Sequence, residues 1–175
     1  YKMIEIFRNP MDLVMSWYKR GLGERFGKDK RMFTLLIKKK NKIFPWYDQI
    51  SNLNLKAYNE LEKCANYVYF LTKKSIENYK NLKNKDKKKI FITSYEDIVE
   101  NTYNEVKKMS FFLNLKFSNK TTKFMEKNKV PSKIDENILN SNRLFLESRL
   151  NKETFKKLID LEKKFNNNIY NLKNN

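Results

Sequence analysis

Histidine is absent from the 175-residue chain, and cysteine occurs once, at Cys64. The first absence excludes a Ser-His or Cys-His pair, a histidine general base and a histidine-ligated zinc site within this sequence. The second excludes an intrachain disulfide, and no metal-ligand cluster accompanies the lone thiol, so no metal is expected. Cys64 falls on a helical pattern beside Leu61 and Val68 and reads as a small buried hydrophobe. That usage suits a reducing compartment, and the expected location is cytoplasmic. Only 3 glycines and 3 prolines are present, which leaves few sharp loops. No apolar run is long enough for a transmembrane helix, and no signal peptide is visible.

What is present supports a folded α/β domain. Hydrophobic residues make up 40% of the chain and aromatic residues 14%, enough to build a core in one domain or a large part of one. Tyr1 falls inside a predicted strand, so the N-terminus of the protein is expected upstream, together with any targeting segment. Lys and Arg number 38 against 20 Asp and Glu, a formal net charge of +18. Such an excess suits an anionic partner. Lys, Asn and Ile are also abundant while Ala and Gly are scarce, so AT-rich codon usage accounts for many of the lysines. Arginine is the rarer cation, and each arginine is the more informative.

KMIEIF (2–7) predicts a short buried strand. Asn9, Pro10 and Asp12 then mark a helix start: an N-cap, a proline at the first helical position and a first-turn carboxylate. Leu13, Val14, Trp17 and Tyr18 give that helix an apolar face to about residue 20. RGLGERFG (20–27) holds all three glycines and is expected as a loop. Residues 32–47 fit either a hairpin around Lys40-Asn41 or an irregular lid. Apolar residues from Leu55 to Leu82 recur at helical spacing and predict one long helix. KNKDKKK (83–89) is a solvated turn, and KIFITSY (89–95) is a second, β-branched strand. Thr102 and Glu105 have capping-box spacing ahead of a helix to about Leu115. A short helix covers 119–128, a polar loop 129–142, a C-terminal helix 151–165 and a frayed tail 166–175. Strands separated by helices imply an α/β fold, with a parallel sheet buried on both faces and flanked by helices.

Arg8 stands where a strand gives way to a helix. The carboxyl ends of strands in open α/β sheets are where ligands bind, and a helix N-terminus there favours an anion. A guanidinium adds a planar fork suited to phosphate. Ser16 lies seven residues after Asn9, about 10 Å along the helix axis, where its hydroxyl could share that phosphate. On spacing alone, Arg8 could equally pair with Asp12, and Ser16 could simply pack against the sheet.

The stretch FRNPMDLVMSWY resembles the second phosphate-binding motif of the sulfotransferase family, whose donor is 3′-phosphoadenosine 5′-phosphosulfate. That motif, Arg-Asn-Pro-x-Asp-x-x-x-Ser after a strand, is complete here as Arg8, Asn9, Pro10, Asp12 and Ser16. The resemblance gives Arg8 and Ser16 the donor's 3′-phosphate. Residues 89–115 resemble the family's strand ending in Tyr-Glu-Asp, followed by a helix ending in Phe-Leu. This nominates Tyr95 beside the adenine, against the plainer reading of a core aromatic, while Glu96 and Asp97 read as structural. RGLGERFG with FPWY is similar to bacterial members that act on glycans, which suggests a carbohydrate acceptor.

The resemblance implies a P-loop-nucleotide-hydrolase-like architecture and sulfuryl transfer to an acceptor hydroxyl or amine. It also implies a first phosphate loop, which is not found here and is expected upstream of Tyr1. Residues 1–175 would then form a single partial domain, inactive alone. No catalytic base is assigned. The family's C-terminal basic donor loop is not recognisable; NKVPSK, with Lys129 and Lys133, is the nearest candidate. Two other readings stand beside this one. One is a kinase-like phosphotransferase. The other is a basic nucleic-acid binder, which the spread of lysines along every segment disfavours.

Overall fold

A computed structural model describes residues 1–25, 36–39, 41–45, 58–128 and 133–173. In chain order the elements are strand β1 (Met3–Phe7), helices α1 (Pro10–Lys19) and α2 (Leu22–Arg25), and strands β2 (Leu36–Lys39) and β3 (Lys42–Pro45). Helix α3 (Glu60–Lys80), the single turn α4 (Asn84–Lys87) and strand β4 (Ile90–Ser94) follow. The chain continues through helices α5 (Tyr95–Glu100), α6 (Thr102–Phe112), α7 (Asn119–Lys127), α8 (Glu136–Arg149) and α9 (Lys152–Lys173). The fold is mixed α/β and helix-rich, with a small parallel sheet. No helix among the described residues is long and apolar enough to cross a membrane.

β1 and β4 pair in parallel from Met3↔Ile90 to Phe7↔Ser94. One face of the pair, with Phe7 and Ile92, packs against Ile76 of α3 and Phe165 of α9. On the other face, Phe91 meets Phe112 of α6 at 5.6 Å between ring centroids. The Thr93 hydroxyl there donates to Glu105 Oε2 at 2.8 Å, both residues being buried. The expected burial on both faces holds for β4 but not for β1. Among the described residues β1 has a partner on one edge only, and Ile6 and Met3 are 54% and 41% exposed.

The larger core lies between helices. Met11, Val14 and Met15 of α1 pack with Leu61, Cys64, Ala65 and Val68 of α3, and with Leu146 and Leu150 at the end of α8 and Leu158 of α9. Each large apolar side chain so buried contributes about 1.5–3 kcal/mol. Cys64 is fully buried and free, and burial, reinforced by the charge of Glu60, pushes its thiol up to about 12. It serves as the small core hydrophobe expected of it.

Helix ends follow local chemistry. The Asn9 side chain accepts from Met11 N–H at 2.9 Å with Pro10 behind it, so α1 starts as its sequence predicts. It stops where Gly21 adopts φ +63, a left-handed conformation that glycine tolerates. The loop expected at 20–27 instead forms the short α2, while residues 26–27 lie outside the described residues. Gly23 lies against α3 so closely that a Cβ would stand 2.4 Å from the Glu60 backbone oxygen. Asn59 accepts from Glu62 N–H at 2.9 Å and starts α3 at Glu60, later than the pattern from Leu55 implied; residues 55–57 are outside the described set. Of residues 32–47, positions 32–35, 40 and 46–47 lie outside the described residues; over the rest, β2 and β3 pair antiparallel with Lys39 opposite Lys42, as a hairpin does.

Four further expectations are corrected. The capping box does not form: Thr102 donates to Val99 O at 3.4 Å, and Glu105 turns inward to Thr93 and Lys108. α6 ends at Phe112, ahead of Asn114 with φ 61. The polar loop of 129–142 becomes helix from Glu136, capped by Asp135, which accepts from Asn137 N–H at 3.0 Å. Residues 129–132 lie outside the described residues. The tail expected to fray from 166 is helical through Lys173.

Candidate functional site

The parallel register joins two segments far apart in sequence. Phe7 and Ser94 are partners at the carboxyl ends of their strands. One residue on, the Arg8 guanidinium carbon lies 4.4 Å from the centroid of the Tyr95 ring. Another residue on, Asn9 N–H donates to Glu96 Oε1 at 2.9 Å. Arg8 and Tyr95, nominated independently from two motifs, therefore form one corner at the N-terminus of α1.

Arg8 is half-buried, and its Nε is fully enclosed without a hydrogen-bond partner among the described residues. The alternative ion pair with Asp12 does not form among the described residues. Asp12 is buried and accepts from Asn142 Nδ2 at 3.0 Å, which ties α1 to α8. Tyr95 is half-buried and is not among the described residues of either core cluster. Ser16 is half-buried on α1. Its seven-residue spacing from Asn9, nearly two helical turns, places it on the same helix face as Asn9. No hydrogen bond joins it to Arg8 among the described residues.

A second pair of charges closes the corner from the C-terminal helices. Glu162 of α9 accepts from Asn9 Nδ2 at 3.0 Å through Oε1 and from Arg143 of α8 at 3.0 Å through Oε2. Neither Glu162 nor Arg143 was identified from sequence, because nothing in a helical period tells which distant helix a polar residue will meet. The scarcity of arginine was the one signal that pointed to Arg143. Glu96, expected as structural, is indeed a tether. Of the basic loop candidates, Lys129 is outside the described residues. Lys133 is exposed and lines an open cleft with Glu100, Asp135 and Asn137, apart from Arg8 and Tyr95.

Electrostatics at the corner are set by how each carboxylate is held. Burial raises the Glu96 carboxyl above its ordinary value, with a smaller push from Asp12. The Asn9 and Glu96 backbone N–H groups and Arg8 act in the other direction and do not cancel it. Its Oε2 is buried without a partner, which accounts for the cost of charging it. Native Glu96 thus holds its proton more tightly than the unfolded chain does. Stability conferred by the neutral form is present at low pH and lost as pH rises through the raised native value. Glu96→Gln keeps an acceptor for Asn9 N–H and removes the charge. In melting scans from about pH 4 to about pH 8, the advantage of Glu96→Gln over wild type is expected to grow through that window and then level off. A difference that does not vary with pH would remove burial as the cause.

A corner with an unpaired guanidinium N–H, an adjacent aromatic ring and a helix N-terminus suits a phosphate attached to a planar base. Comparison with known proteins agrees with the family resemblance of the two motifs. A family model, the sulfotransferase domain, matches residues 1–166. No curated protein and no solved structure matched. The match takes in β1, the Arg8 corner, both strands of the parallel pair and most of α9, and on that extent the chain belongs to the sulfotransferase family.

Proposed function

We propose that the chain binds 3′-phosphoadenosine 5′-phosphosulfate by its 3′-phosphate at the β1–α1 corner. Sulfuryl transfer would proceed from there to an acceptor hydroxyl or amine, with a carbohydrate as the acceptor class. Arg8 and Ser16 take the 3′-phosphate, and Tyr95 lies by the adenine. The observation that carries this reading is the Arg8 guanidinium set 4.4 Å from the Tyr95 ring at the N-terminus of α1. A planar guanidinium held on an aromatic face beside a helix N-terminus offers its terminal N–H groups to a phosphate oxygen.

The neighbouring carboxylates do not defeat that reading. Glu162 is paired with Arg143, and burial favours the neutral form of Glu96. Arg8 and the N-terminal end of the α1 dipole both favour a dianion at the corner. The parallel β1–β4 pair with helices on both sides supports a P-loop-like architecture as part of the same proposal.

In the reaction the acceptor oxygen or nitrogen attacks sulfur, the bond from sulfur to the 5′-phosphate oxygen breaks, and the acceptor's proton passes to a base. Arg8, Ser16 and Tyr95 fix the donor at the end remote from the sulfur. Their contribution is alignment, which is worth most when reacting atoms must meet in line. The cytoplasmic location rests on the lone, buried Cys64 and belongs to the same proposal.

Isothermal titration calorimetry of the 175-residue chain tests this directly. 3′-Phosphoadenosine 5′-phosphate is expected to bind tenfold or more tighter than AMP, a difference of about 1.4 kcal/mol or more. Equal affinity for the two nucleotides would overturn the proposal.

A further inference from the structure

We infer that Tyr95 is a positioning residue for Arg8, so that the end of β4 sets the phosphate selectivity of the corner at the end of β1. The inference rests on the phosphate reading of Arg8 and adds a role for Tyr95 that contact with a base does not supply.

Among the described residues, no hydrogen bond or ion pair holds the Arg8 guanidinium. The Tyr95 ring does, at 4.4 Å. A long, flexible side chain otherwise samples many rotamers, and stacking on an aromatic face removes most of them while leaving every N–H free. The Nε is enclosed by that arrangement, which fixes the plane of the guanidinium. The platform is itself fixed. Ser94 is held in register with Phe7, and its hydroxyl accepts from Asp97 N–H at 3.1 Å, which sets the start of α5 at Tyr95. On the opposite side, Asn9 N–H on Glu96 Oε1 fixes the backbone just after Arg8. Residues 8–9 and 95–96 thus make two successive cross-strand contacts beyond the last ladder pair, and the first of them orients the phosphate fork.

The two roles of Tyr95 predict different patterns. A residue that touches only the base weakens 3′-phosphoadenosine 5′-phosphate and AMP alike, leaving their affinity ratio unchanged. A residue that orients Arg8 changes the ratio. Tyr95→Leu is therefore expected to lower the ratio about fivefold or more, whereas Tyr95→Phe, which keeps the ring, holds it within about twofold. In an Arg8→Ala background, Tyr95→Leu should leave the ratio where Arg8→Ala alone puts it.

Should Tyr95→Leu fail to fold, the wild-type protein still provides a test. The Arg8 Nε–H resonance of 15N-arginine-labelled protein is expected to be displaced by the ring current of Tyr95, to keep that displacement in Tyr95→Phe, and to shift on adding 3′-phosphoadenosine 5′-phosphate. An undisplaced resonance would overturn the inference. So would an unchanged ratio in folded Tyr95→Leu while Arg8→Ala abolishes it; the phosphate reading would then survive alone. If wild type shows no preference for the 3′-phosphate, both readings fall.

Discussion

Arg8→Ala is expected to bind AMP nearly as well as wild type while losing most of the advantage of 3′-phosphoadenosine 5′-phosphate. The side chain presents a guanidinium stacked on the Tyr95 ring at a helix N-terminus. A hydrogen bond to a charged partner in such a setting contributes about 1.5–3 kcal/mol, so the loss should be about 10- to 150-fold in affinity for the 3′-phosphorylated nucleotide. Stability should change little, because Arg8 donates no hydrogen bond among the described residues and its removal relieves a buried unsatisfied donor. Arg8→Lys keeps the charge but neither the planar fork nor the same stack, and should fall between the two. Calorimetric titrations of both nucleotides against the three proteins, with melting temperatures alongside, would measure this. If Arg8→Ala retained the full preference, the 3′-phosphate would have to lie elsewhere.

The corner itself was legible because its parts are local. Asn9, Pro10 and Asp12 mark a helix start by backbone rules that act within one turn, and α1 begins where they place it. Two β-branched or apolar runs at either side of a long helix fit a parallel pair, and β1 and β4 pair so. Two motifs in the expected order also set the sulfotransferase reading above a kinase-like one, and the family match agrees. The long helix was found by its period, but its first residue was set by Asn59, an N-cap without flanking apolar periodicity to reveal it.

What was missed has a common cause. Glu105 has the spacing of a capping box, yet its carboxylate leaves the local backbone for the Thr93 hydroxyl on β4, a partner that no local rule includes. Asn142 sits in a polar run that reads as loop, and its amide becomes buried only because Asp12, far away in sequence, lies opposite. The link from Asn9 through Glu162 to Arg143 likewise depends on three elements meeting. Polar residues that serve tertiary contacts look, in sequence, like polar residues facing water.

α8 shows how much structure can lie in such a segment. Its sequence, ENILNSNRLFLESR, has four charged side chains along its length and four asparagine or serine positions ahead of Leu144, a composition that conceals an apolar stripe. Leu146 is nevertheless completely buried, packed with Leu150 into the cluster that joins α1, α3 and α9. Leu146→Ala is expected to destabilise the protein by about 2–5 kcal/mol, the cost of lost burial plus the cavity left between four helices. For a chain of this size that corresponds to a fall in melting temperature of about 2–4 °C for each kcal/mol. Leu144, in the same helix but 66% exposed, is the control, and Leu144→Ala should fall within about 0.5 kcal/mol of wild type. Urea denaturation of the two variants would read the contrast directly. Equal stability of Leu146→Ala and Leu144→Ala would mean that α8 does not pack on the α1 core through Leu146. The buried Asp12–Asn142 contact, which depends on that packing, would then also be in question. The destabilised Leu146→Ala protein should keep its nucleotide preference under conditions where it remains folded, since Leu146 touches neither Arg8 nor Tyr95. Loss of stability with selectivity intact, beside Arg8→Ala with selectivity lost and stability intact, would separate the packing of this domain from its recognition chemistry.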